Sequence, residues 1–165
     1  MPAMKTMDDL FLHHLKDIYY AEKQILKALP KMAKAARSPE LAKALENHRQ
    51  ETEGQVERLG EIFEILGKPA RGMKCEAIEG LISEAQEVMD EAEEPGVLDA
   101  GLLASAQAVE HYEIARYGTM SAWAQQLGLS KAVKLIEQTL KQEKAADQLL
   151  TQIAESAVNA EAAGA

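Results

Sequence analysis

Four stretches of this chain carry side chains at the alternating three- and four-residue spacing of a single helix face, and in each the apolar stripe is broken by polar residues near its middle. The first stripe runs Leu15, Ile18, Glu22, Ile25, Leu29, Met32. A later one runs Leu103, Ala106, Glu110, Glu113, Tyr117, Met120, Ala124, Leu127, with two acids one turn apart. The last runs Val133, Ile136, Leu140, Glu143, Asp147, Leu150, Ala154, Ala157 and repeats that pair. The second stripe, Leu41, Leu45, His48, Thr52, Gln55, Leu59, Ile62, Leu66, has a polar centre, and Glu51 lies one residue beside it, one turn from His48. No Lys or Arg falls on any of the four.

Helices that bury such stripes pack against one another, so their acids meet in the interior. Leaving a buried carboxylate unpaired costs several kcal/mol, and bringing several together calls for a cation. The competing reading sends the acids outward to lysines such as Lys23 or Lys144, or into a hydrated pocket.

Turn-forming residues divide the chain. Ser38-Pro39 predicts an N-cap with Pro at the first helical position, so one helix ends near Ala36 and the next begins near Pro39 and closes at Gly67-Lys68-Pro69. A shorter helix from near Cys75, with Ile78, Ile82, Ala85 and Met89 on one face, ends at Glu94-Pro95-Gly96. Asp99 is then expected to cap a long helix that stops at Gly128, Ser130 to cap the last, and the Ala-rich tail to fray from about Val158. Residues 1–165 thus read as a single all-α domain, a four-helix bundle of two long hairpins joined by a crossover that carries a short fifth helix. One long crossover is the wiring of ferritin-like bundles.

Counting residues from the two hairpin turns places the acids at one depth. Glu22 and Glu51 lie about 15 and 13 residues from the first turn, roughly 23 and 20 Å along their helices. Glu113 and Glu143 each lie about 15 residues from the second, and Glu110 is one turn deeper.

Such a layer could hold two divalent cations on oxygen-rich ligands, a donor set that suits iron, or manganese, better than zinc. The ferritin-like template uses a Glu from each of two helices and a Glu-x-x-His from each of the others. Here Gly54 stands three residues after Glu51 and Ala146 three after Glu143, so neither histidine is present. Asp147 could take that place on the last helix, and His48 or Gln55 on the second, as ligand or as support for one. Tyr117 and Tyr19, each one turn from an acid, could donate to ligating oxygens, whereas His13, His14 and His111 read as surface or boundary residues.

A net charge of −9 argues against a nucleic-acid partner. No apolar run approaches a membrane span and the N-terminus has no signal-peptide core, so a cytoplasmic protein is expected. The single Cys75 excludes an intrachain disulfide and a Cys-x-x-Cys motif, and reads as a packed small residue.

Three segments, Val109–Thr119, Lys74–Leu81 and Gln142–Asp147, resemble the YciE/YciF family of small bacterial ferritin-like proteins, and the likeness runs from Leu10 to Ile153. That family is similar to rubrerythrins in its bundle and is associated with bacterial stress responses. The resemblance implies metal ligation by Glu22, Glu51, Glu110, Glu113, Glu143 and Asp147, and a homodimer. Two activities then compete: a di-iron centre reacting with peroxide or oxygen, and a non-catalytic stress or interaction module, metal-stabilised or metal-free. A rubrerythrin's Cys-ligated electron donor is absent from the sequence.

Overall fold

The structure, a computed structural model, describes residues 4–164. Helix α1 spans Met7–Ala35 and opens on a capping box in which Thr6 and Asp9 satisfy each other's backbone N–H groups. Helix α2, Pro39–Ile65, starts at the Ser38 cap with Pro39 in its first turn. It ends where Gly67 takes the left-handed conformation at φ 62° and lets Lys68 N–H reach back to the Phe63 carbonyl. The crossover that follows is tied to α1 by a Met73 N–H to Lys16 carbonyl bond, and it passes so close that a Cβ on Gly72 would stand 3.0 Å from Tyr20 Cβ.

Helices α3 (Glu76–Glu91), α4 (Pro95–Gln126) and α5 (Ser130–Ile153) complete the set, with Gly128 at φ 70° turning the chain between the last two. The hairpins α1–α2 and α4–α5 pack side by side through α1 against α4 and α2 against α5, while α3 lies outside on α1 and α4. Ile78 and Ala85 are the buried residues of α3, with Ile82 and Met89 packed beside them, as the periodicity predicts. Apart from Cys75, the core is built of helix side chains, from Phe11 and Leu15 through Leu59, Leu102 and Met120 to Ile136.

Three boundaries differ from expectation. Asp99 does not cap α4; that helix begins a turn earlier at Pro95, and the buried Asp99 carboxylate instead accepts the backbone N–H groups of Arg37 and Ser38, each at 2.7 Å. Glu94-Pro95 is the same signal as Ser38-Pro39, a start with Pro in the first turn, and reading it as a terminator misplaced the helix. Ser130 is the first helical residue of α5 and makes no side-chain cap. The tail does not fray at 158: a π-helical turn, Ala154–Val158, leads into α6, Asn159–Ala162, which lies on α4. Val158 is buried, and Gly96 permits the approach, since a Cβ there would meet the Glu161 carbonyl carbon at 2.9 Å.

Candidate metal centre

The four long helices each send polar side chains to one level of the bundle. Glu22 of α1, Glu113 of α4 and Glu143 of α5 are fully buried, and His48 of α2 and Glu110 of α4 nearly so. One ligand atom from each of His48, Glu110, Glu113 and Glu143 lies within 4.8 Å of the others. His48 Nε2 is 3.0 Å from Glu110 Oε1 and 3.8 Å from Glu143 Oε2. Glu22 stands outside that set of four, but it is among the charges that raise the Glu113 carboxyl, after burial and Glu143.

Around these ligand-type atoms stands a shell of donors. Tyr117 donates its hydroxyl to Glu22 Oε1, and Gln55 donates its amide to Glu143 Oε1. The Gln55 amide is in turn 3.3 Å from the Gln142 side-chain oxygen Oε1, to which Arg58 also donates while its Nε donates to Thr139 at 3.0 Å. Each donor takes one carboxylate oxygen and leaves the other. Glu22 Oε2, Glu110 Oε2, Glu143 Oε2, both oxygens of Glu113 and both nitrogens of His48 are buried without a hydrogen-bond partner.

That pattern is what a cation would satisfy. Buried polar atoms are otherwise almost always paired, and among the described residues no Lys or Arg forms an ion pair with Glu22, Glu110, Glu113 or Glu143. Lys23 turns away to lie over the Tyr19 ring. The His/Glu cluster could therefore hold a metal ion, and four buried carboxylates with one imidazole are hard, oxygen-rich donors.

Without a cation the electrostatics are costly. Burial, reinforced by Glu143, raises the Glu22 carboxyl to about 8, with the Tyr117 hydroxyl pulling only partly the other way. Burial first, then the neighbouring carboxylates, holds Glu110 and Glu113 well above the ordinary range. For His48 burial opposes protonation, but Glu51, Glu143 and Glu22 together outweigh it and the imidazole is raised. Tyr117 is kept firmly neutral by burial and by the acids it faces.

Two of the acids named from the sequence stand at the rim. Glu51 is 42% exposed, 3.7 Å from His48 Nδ1, and meets the cluster through that ring. Asp147 pairs with His111 at 3.1 Å and accepts from Gln107 at 3.2 Å. Tyr19 is not a donor to the acids; its ring packs edge-on against Phe63 at 5.4 Å. Cys75 is buried as expected, at the N-cap of α3, with its sulfur 3.0 Å from the Tyr112 hydroxyl. Sequence reasoning passed over Arg58 and Gln142, whose only signal is that each lies one turn or less from a residue already singled out.

The family model described as "Domain of unknown function (DUF892)" matches residues 6–163. The chain belongs to the DUF892 family. Within it, Protein YciF of Escherichia coli is 49% identical over 160 residues, covering 96% of each chain. The crystal structure of that stress protein superposes with a TM-score of 0.91 over 94% of this chain and 99% of that one. YcfI of Rhodopseudomonas palustris, put forward as a structural protein, is 51% identical with a TM-score of 0.89, over 91% of this chain and 96% of that one. The YciE/YciF resemblance and the all-α bundle expected from the sequence both hold for this DUF892 member. Among the described residues, no helix is long and apolar enough to cross a membrane.

Proposed function

We propose that this protein is a stress-response metalloprotein of the ferritin-like kind, binding two metal ions in its core and reacting there with peroxide or oxygen. The observation that carries the reading is the set of orphaned ligand atoms on His48, Glu110, Glu113 and Glu143, which converge, and on Glu22 beside them, all buried with no Lys or Arg paired to these acids among the described residues. Those five residues would hold the ions, with Glu51 and Asp147 supplying further oxygens from the rim. Iron is the metal this donor set favours, with manganese next. Bound there, it would supply redox chemistry toward small oxidants.

The chain's own residues do the rest. Tyr117 and Gln55 each hold one oxygen of a ligating carboxylate, which fixes the side chain and leaves the second oxygen for the metal. The protons that Glu22, Glu110, Glu113 and His48 retain when the site is bare are released as cations bind. The apolar stripes above and below the layer keep bulk water out. A homodimer in the cytoplasm belongs to the same reading.

Anaerobic titration of the metal-free protein with Fe(II) tests it. About two equivalents should bind tightly per chain, and Glu143→Ala should abolish both uptake and peroxide consumption while the helical circular dichroism persists. Undiminished peroxide consumption in that variant would sink the proposal. The name given to the Rhodopseudomonas relative favours a second reading, a non-catalytic structural module. It requires that metal loading confer no peroxide or oxygen consumption at all.

A further inference from the structure

The centre is closed on most sides. Glu22, Glu113 and Glu143 have no exposed surface, and the way to His48 and Glu110 is a cleft of about 160 Å³ between α2 and α5. Its walls are short or apolar: Ala44, Leu45, Ala146, Leu149 and Leu150, with Asn47 and Glu51 at the polar margin. Ala44, Asn47 and Leu149 also line a wider surface groove, so the cleft is continuous with the outside. At its inner end both His48 nitrogens and Glu110 Oε2 are buried and unpartnered. An apolar passage that stops on unsatisfied polar atoms suits a small uncharged molecule bound for those atoms. It does not suit an anion or a bulky solute.

Ala146 explains why the passage exists. It stands three residues after Glu143, where the ferritin-like template has a second ligating histidine on the last helix. In this chain that position carries a methyl group, and the methyl lines the cleft. The missing ligand and the opening are therefore one feature.

We infer that the oxidant reaches the centre through the α2/α5 cleft, that Ala146 is the residue that keeps the route open, and that the route selects oxidants by size. The inference rests on the proposed metal centre. A cavity of about 150 Å³ takes a molecule the size of benzene or a xenon atom. The cleft thus admits oxygen, hydrogen peroxide and the smallest alkyl hydroperoxides, and turns away a larger one such as cumene hydroperoxide.

Ala146→Leu should narrow the cleft, and Leu is well tolerated in a helix. Two readouts separate access from chemistry. In metal-free crystals under xenon pressure, a xenon atom should lie beside Ala146 and Leu149 and be lost in the variant. In the Fe(II)-loaded protein, association of nitric oxide, a diatomic stand-in for oxygen, should slow by about tenfold or more with Fe(II) uptake unchanged. Nitric oxide binding at the native rate, with xenon excluded and Fe(II) uptake normal, overturns the route and leaves the centre standing. Failure of the native protein to take up Fe(II) overturns the centre and the route with it. Should Ala146→Leu fail to fold, Leu149→Ala, at an exposed position, widens the mouth. It should raise the rate with cumene hydroperoxide relative to hydrogen peroxide by roughly threefold or more, and an unchanged ratio overturns the size selection.

Discussion

His48 Nε2 stands 3.0 Å from Glu110 Oε1, and the two make no hydrogen bond. A neutral or protonated imidazole that close to a carboxylate would ordinarily turn its N–H toward the oxygen, because an unpaired buried donor costs about 1–3 kcal/mol. A ligand atom of each instead lies within 4.8 Å of one from Glu113 and one from Glu143, around a space the four share. Such an arrangement could hold a metal ion, and it differs from a hydrogen-bonded ion pair.

That distinction sets an order among the ligand variants. His48→Ala removes a buried donor that faces the shared space, whereas Glu51→Ala removes a rim carboxylate that meets the cluster only through His48. With Mn(II) as a redox-silent probe, isothermal titration should show His48→Ala weakening binding by about 100-fold and Glu51→Ala by about tenfold. Equal losses would place Glu51 among the principal ligands and overturn the order.

The bare site should make stability fall as pH rises. Glu22 is raised to about 8 when folded, and Glu110 and Glu113 are raised too, so the native state keeps protons that the unfolded chain releases. A raised folded value contributes stability that is complete below the unfolded carboxyl range and is lost as pH climbs through the folded value. The raised His48 acts in the same direction above its ordinary value of 6.5. The metal-free protein should therefore lose stability steadily between about pH 5 and 8, and bound cations should cancel the loss. Urea midpoints across that window, with and without Mn(II), test this; a metal-free protein that gains stability over the range would contradict it.

Asp99 ties the start of α4 to the turn between α1 and α2. Its two oxygens accept from Arg37 and Ser38 N–H groups 62 and 61 residues away. Asp99→Ala leaves two donors without a partner and a small void, and should cost about 2–4 kcal/mol. Because the turn lies far from the acidic layer, the equivalents of metal bound at saturation should not change. Denaturation paired with a metal count separates the two quantities; a lowered count would mean that the turn and the centre are coupled.

Much of the acidic layer was legible because depth in a helical hairpin can be counted. Glu22, Glu110, Glu113 and Glu143 lie on apolar stripes at similar distances from the turns, and the fold buries all four, with Asp99 the further buried acid among the described residues. Glu51 is one position off its stripe, a rotation of about 100°, and that offset is enough to carry its carboxylate to the rim. Asp147 is on its stripe but answers to His111 and Gln107, a side-chain choice that periodicity does not encode. The roles of Asp99 and Gly96 depend on which distant segment docks there, the first turn and α6 respectively, so neither left a local pattern.

Tyr117 offers the sharpest separation of positioning from ligation. Its hydroxyl is fully buried and donates to Glu22 Oε1, while Glu22 Oε2 is buried without a partner. Tyr117→Phe keeps the ring and its packing while deleting the hydroxyl donor that orients the Glu22 carboxyl. The number of ions bound should stay at two, while affinity drops by about 10–100-fold, the usual cost of losing a hydrogen bond that supports a ligand. A chelator competition assay measures the affinity and elemental analysis the number. If Tyr117 were instead a ligand itself, the variant would lose an equivalent outright. If its bond to Glu22 were incidental, neither quantity would move.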